Sequence, residues 1–151
     1  MGFFDGYNVA TSGMSAQRSR INVVSSNIAN AQTTHTTDGG PYKKQNVVFE
    51  EVLLESSMKN NQKNNNPSNI DMLSLRGVGV REIAESKDEA ILKFEPEHPD
   101  ANENGYVAYP NINPVIEMVD LIEAMRSYEA NVSSFKTQKD MDTKTLDIIK
   151  S

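Results

Sequence analysis

The sequence has no cysteine and no tryptophan. Without cysteine there is no disulfide, no thiolate nucleophile and no Cys-based metal site. An oxidising compartment is tolerated but not required. No run approaches the eighteen or so apolar residues of a membrane-spanning helix, so direct membrane insertion is not expected. Positive charge is scarce and scattered. Fifteen Lys and Arg stand against twenty-one Asp and Glu, for a formal net charge of −6. With no basic block, nucleic acid is not an expected partner. Residues 1–10 lack a basic stretch followed by an apolar one, so no cleaved secretory signal is expected. Only two histidines are present. The 151 residues suit one ordinary domain, or a small domain with extensions. The mean hydropathy of −0.55 implies a largely wet surface.

Charge divides the chain into three parts. Residues 1–33 carry only Asp5, Arg18 and Arg20. Residues 34–110 hold thirteen acidic and eight basic residues, and residues 111–151 hold seven and five. The first part reads as a helix. Tyr7, Ala10, Met14, Gln17, Ile21, Val24 and Ile28 recur at alternating steps of three and four, a 3.5-type stripe. Gly13 weakens that helix by about 1 kcal/mol relative to Ala. The remaining surface is Ser, Asn, Gln, Thr and Ala rather than Lys and Glu. Such a face can be buried against another chain without desolvating ions.

The last part reads as a longer helix, punctuated at its start by Pro110 and Pro114. Met118, Leu121, Met125, Tyr128, Val132, Phe135, Lys139, Asp142, Leu146 and Ile149 keep the same spacing. Only Lys139 and Asp142 interrupt the apolar seam. From residue 115 to 149 such a helix spans roughly 50 Å, several times the usual length. The middle is different. Residues 45–54 are rich in Val, Leu and Phe but ambiguous in type. Short strands are expected at 77–81, 90–94 and 106–109. Asp38-Gly39-Gly40-Pro41 and Asn104-Gly105 mark turns. Residues 59–69 read KNNQKNNNPSN and are expected to form a mobile loop. The fold expected is mainly α. Long N- and C-terminal helices (1–33 and 111–151) pair as a coiled-coil-like unit, and 34–110 forms a small irregular, β-containing middle. Two such helices make a thin core alone, so partners from other chains are expected to complete the burial.

Chemistry finds little support. Glu95-Pro96-Glu97-His98-Pro99-Asp100 brings carboxylates near a histidine, but its prolines read as a loop. His35 has no nucleophile elbow beside it. Gly77-Val78-Gly79 lacks the third glycine and the following helix of a dinucleotide loop. Asn131-Val132-Ser133 fits a glycosylation sequon but lies inside the expected helix. No catalytic, cofactor or metal residue is assigned.

At Ser26-Asn27-Ile28-Ala29-Asn30-Ala31-Gln32-Thr33 the sequence resembles the S-N-[IL]-A-N-x-x-T signature of flagellar axial proteins, the rod, hook and hook-associated subunits. Ser12-Gly13-Met14-Ser15-Ala16-Gln17 agrees with it. Asn111-Ile112-Asn113, Glu117-Met118 and Arg126-Ser127-Tyr128-Glu129-Ala130-Asn131 resemble the matching C-terminal signature. The run from His98-Pro99-Asp100 through Tyr106-Val107-Ala108-Tyr109-Pro110-Asn111 resembles proximal-rod subunits of the FlgC kind, and the short middle agrees. Ile112 stands where Val is commoner in that group.

The resemblance implies a structural, non-enzymatic subunit of the basal-body rod. It implies export by the flagellar type III apparatus without signal cleavage, then helical stacking in the periplasm. Implied partners are other rod subunits, copies of the chain itself, the adaptor at the rod base and the MS-ring protein. The implied role is to transmit torque and line an export channel. The assembly surface expected comprises Tyr7, Met14, Ile21, Val24, Asn27, Ile28 and Asn30 on the first helix. On the second it comprises Met118, Leu121, Met125, Tyr128, Asn131, Val132, Phe135, Leu146 and Ile149. Another flagellar axial protein, or a secreted translocator or chaperone-like helical protein, shares the polar heptad ends. Solution size separates the last, since a chaperone is a stable dimer.

Overall fold

The computed structural model describes residues 5–54 and 75–150. Among the described residues six elements follow one another: α1 (Asp5–Ala29), β1 (Gln45–Leu53), β2 (Arg76–Glu85), β3 (Ile91–Phe94), β4 (Tyr106–Tyr109) and α2 (Pro114–Lys150). The two terminal helices and the β-containing middle match the coarse expectation. The Asn-rich stretch 59–69 lies outside the described residues.

Local chemistry sets the helix ends. Pro114 opens α2, where a missing N–H costs nothing. The Asn113 side-chain oxygen accepts the Val115 N–H at 3.0 Å, and its carbonyl accepts the Glu117 N–H at 3.1 Å. No proline or glycine follows within the 37 residues of α2, which therefore runs roughly 55 Å. The first helix stops at Ala29, short of the expected residue 33. Asn30 folds back, its amide donating to the Ser26 carbonyl at 2.9 Å. Its side-chain oxygen accepts from the Thr33 hydroxyl at 3.1 Å, and its carbonyl accepts the Thr33 N–H at 3.0 Å. These bonds satisfy groups a longer helix would have used.

The ambiguous stretch at 45–54 is a strand. β1 and β2 form an antiparallel ribbon from Gln45 opposite Glu85 to Leu53 opposite Arg76, with a bulge between Val48 and Phe49. β3 and β4 form a second, shorter antiparallel pair, with Phe94 opposite Tyr106. Two-stranded ribbons are marginal in water unless something backs them. The β1–β2 ribbon lies on α1, where the Val78 N–H donates to the Ser12 hydroxyl oxygen at 3.3 Å. Gly77 permits this approach, since a Cβ there would sit 2.6 Å from that oxygen. Gly39, Gly40 and Gly105 all hold positive φ, so the expected turns require glycine.

The buried core is small. Among the described residues its apolar members are Ala10, Ala16, Val23, Val24, Val107, Ile112 and Ala124. Large apolar side chains are exposed instead, above all on α2. Among the described residues, no helix is long and apolar enough to cross a membrane.

Candidate assembly interface

The two helices lie side by side and antiparallel. Tyr7 meets Phe135 edge-on with ring centres 4.9 Å apart, and its hydroxyl donates to the Asp142 carboxylate at 2.6 Å. Gly13 sits under Asn131, whose amide atoms would lie 2.9 Å from an added Cβ. Arg20 reaches Asp120 at 3.6 Å and Glu123 at 3.7 Å. Asn27 meets Glu117 at 3.0 Å. Positions rising along α1 thus meet positions falling along α2.

On α1 the stripe read from spacing is buried or half-buried throughout, but on α2 the seam follows that stripe only in part. Along α2 its buried and half-buried positions include Glu117, Leu121, Ala124, Tyr128, Asn131, Phe135, Gln138 and Asp142. Leu121, Tyr128, Phe135 and Asp142 belong to the expected stripe. Between them the seam takes the residue before each methionine or valine, so Met118 is 51% exposed and Met125 47%. Val132 is half-buried, whereas Leu146 and Ile149 are exposed. On α1 the buried positions include Ala10, Gly13, Val24 and Asn27, with Tyr7, Met14, Ile21, Ile28 and Asn30 half-buried. The reason is physical. Small residues on α1 let the backbones approach, and paired polar groups select the facing residues. Hydrophobic spacing alone carries no record of which polar groups have partners.

The end of the seam is a polar node. Asn27 is 1% exposed and both amide protons are used, one on the Gln45 carbonyl at 2.8 Å and one on Glu117 at 3.0 Å. Its oxygen accepts the Gln45 N–H at 2.9 Å and the Tyr42 hydroxyl at 3.1 Å. Glu117, also 1% exposed, is paired with the Lys44 ammonium at 2.7 Å. One asparagine therefore joins α1, α2 and the start of β1. A buried carboxylate left without such partners would be strongly destabilising. Spacing missed Lys44, Tyr42 and Gln45, which carry no periodic signal. Glu117 fell within the quoted C-terminal run but was assigned no role.

The stretch before α2 is also held by polar contacts. The Tyr109 hydroxyl donates to Glu95 at 2.8 Å, which raises its pKa, and Lys93 lies 4.4 Å over the Tyr109 ring. The Thr34 hydroxyl donates to Asp100 at 2.7 Å, and the Asp100 N–H donates to His98 Nδ1 at 3.1 Å. Glu95, His98 and Asp100 thus brace a loop. Among the described residues, no three His, Asp or Glu side chains gather as a metal-ligand set.

Comparison with known proteins agrees with this architecture. Residues 8–34 match the family described as Flagella basal body rod protein. Residues 103–148 match Flagellar basal body rod FlgEFG protein C-terminal. The flagellar basal-body rod protein FlgC of Borreliella burgdorferi is 41% identical over 99% of each chain. That of Aquifex aeolicus is 40% identical over 97% of each. That of Bacillus subtilis is 38% identical over 96% of this chain and 97% of its own. All carry the name of a basal-body rod protein, and similarity runs through both helices and the middle alike. The chain belongs to the FlgC family of flagellar basal-body rod proteins and is a structural subunit of the basal body.

Proposed function

We propose that the chain polymerises helically through its terminal helices, so that the rod transmits torque and encloses an export channel. Residues 1–33 and 111–151 act as assembly modules, paired in a coiled-coil-like manner, and residues 34–110 face outward. The partners are copies of the chain, other rod subunits, the adaptor at the rod base and the MS-ring protein. The chain leaves the cell through the flagellar type III apparatus without signal cleavage and assembles in the periplasm.

The observation carrying this reading is the apolar surface left open on α2. Val115, Ile116, Met118, Val119, Ile122 and Met125 are all between 47% and 69% exposed. A side chain of that size contributes roughly 1.5–3 kcal/mol when fully buried, so the helix gains from a further neighbour. Contacts that do not close on themselves generate an open helical array. Long packed helices resist torsion because bending them breaks many contacts at once.

The double variant Met118→Glu, Met125→Glu tests the reading. Both sites are solvent-facing in the single chain, so its helicity and melting should stay near wild type. Swimming and recovery of the chain in isolated basal bodies should be lost. A variant chain that swims normally would remove α2 from the assembly surface.

A further inference from the structure

Each helix carries a second stripe turned away from the seam. On α1, Thr11, Ser15, Arg18, Asn22, Ser25 and Ala29 recur at alternating steps of three and four, and all are exposed. On α2, Val115, Met118, Ile122, Met125 and Glu129 do the same and are also exposed. At 3.6 residues per turn these stripes lie roughly 150° around α1 and roughly 130° around α2 from the seam. Within one chain they therefore face apart and cannot meet. One stripe is small and the other bulky and apolar, a fit that lets side chains of one helix enter gaps on the other. Each stripe carries a single charge, Arg18 on α1 and Glu129 on α2. Neither takes part in an ion pair among the described residues.

We propose that the α2 stripe of one copy seats on the α1 stripe of a second copy, antiparallel, with Glu129 against Arg18 of the neighbour. This rests on the reading that copies assemble side by side. Copies stacked with one polarity keep every α1 opposed to every α2, so a contact between the two helix types is antiparallel. The charge pair then fixes the register. Asn22 faces Met125, Ser25 faces Ile122 and Ala29 faces Met118. Arg126, one turn back on α2, lies at the flank of the stripe and contributes to the field around Arg18. The contact joins different surfaces on the two copies, so it repeats without closing.

The absence of cysteine makes disulfide trapping free of background. Cells would make two single-cysteine chains together, Ser25→Cys and Ile122→Cys, so that only a contact between copies can bridge them. A second culture would pair Thr11→Cys with Ile122→Cys, the bridge that a parallel contact predicts. Basal bodies from swimming cells, oxidised mildly, should yield a dimer for the first pair and not for the second. Arg18→Glu or Glu129→Arg should each cut that yield by about tenfold, and the two exchanges together should restore it. A bridge only in the second pair, no bridge in either, or a yield indifferent to the charge changes would overturn the proposed contact while leaving the rod subunit in place. A cysteine-free chain missing from basal bodies would instead overturn the assembly reading beneath it.

Discussion

At the scale of single residues, polar groups decide the geometry. Asn27 makes four hydrogen bonds, to Gln45 twice, to Glu117 and to Tyr42. Asn27→Ala should cost about 2–4 kcal/mol in urea unfolding, because it strips one partner from a buried carboxylate. Asn27→Asp should be no gentler, since it sets a second negative charge against Glu117. Tyr7 is a second fixed point. Its hydrogen bond to Asp142 pushes the phenol from 10.0 up to about 12. A raised phenol favours the folded pairing below pH 10, and that contribution is lost as pH climbs toward about 12. Spectrophotometric titration should show Tyr7 titrating late, beside a raised Tyr109, and Asp142→Asn should bring Tyr7 alone back toward 10.0.

At the scale of elements, the question is why a glycine stands inside α1. Its sequence context registers only the loss of helix propensity. In the fold Gly13 makes room for Asn131, a residue that was expected on the assembly surface. Gly13→Ala should therefore come out near neutral, because a gain of about 1 kcal/mol in propensity is offset by displacing the Asn131 amide. Gly13→Leu should lose about 1–3 kcal/mol in thermal unfolding followed by circular dichroism, since it pries the helices apart. The partial departure of the α2 seam from the spacing belongs to this scale too. Leu121, Tyr128 and Phe135 turn toward the chain's own seam, while Met118 and Met125 stay exposed.

At the scale of the whole molecule, the chain is held by a narrow seam. The seam is rich in Asn, Gln, Glu and Asp, and the buried apolar residues beside it are mostly alanine and valine. The free energy holding α1 to α2 in an isolated chain should therefore be low. Amide exchange of purified chain should be fast along both helices and slow by orders of magnitude once the same residues sit in isolated basal bodies. Equal protection in both states would mean that the seam alone suffices and that the open α2 surface gains nothing from neighbours.

The terminal helices, the turns at Gly39-Gly40 and Gly105 and three of the four described strands were legible along the chain, and the family was legible from its signature residues. The elements follow from backbone preference and period, which act between near neighbours along the chain. The sequence also marked Asn27 and Asn30, though as a motif without a mechanism. Which face of α2 meets α1 emerges only once the chain is folded. That choice depends on whether Asn27 finds Glu117, whether Arg20 finds Asp120, and whether Gly13 admits Asn131, all residues about 90 or more positions apart. Hydrophobic spacing ranks faces by burial. Partners for polar groups exist only once distant segments are brought together, and on α2 they replaced Met118 and Met125 in the seam by the residues before them.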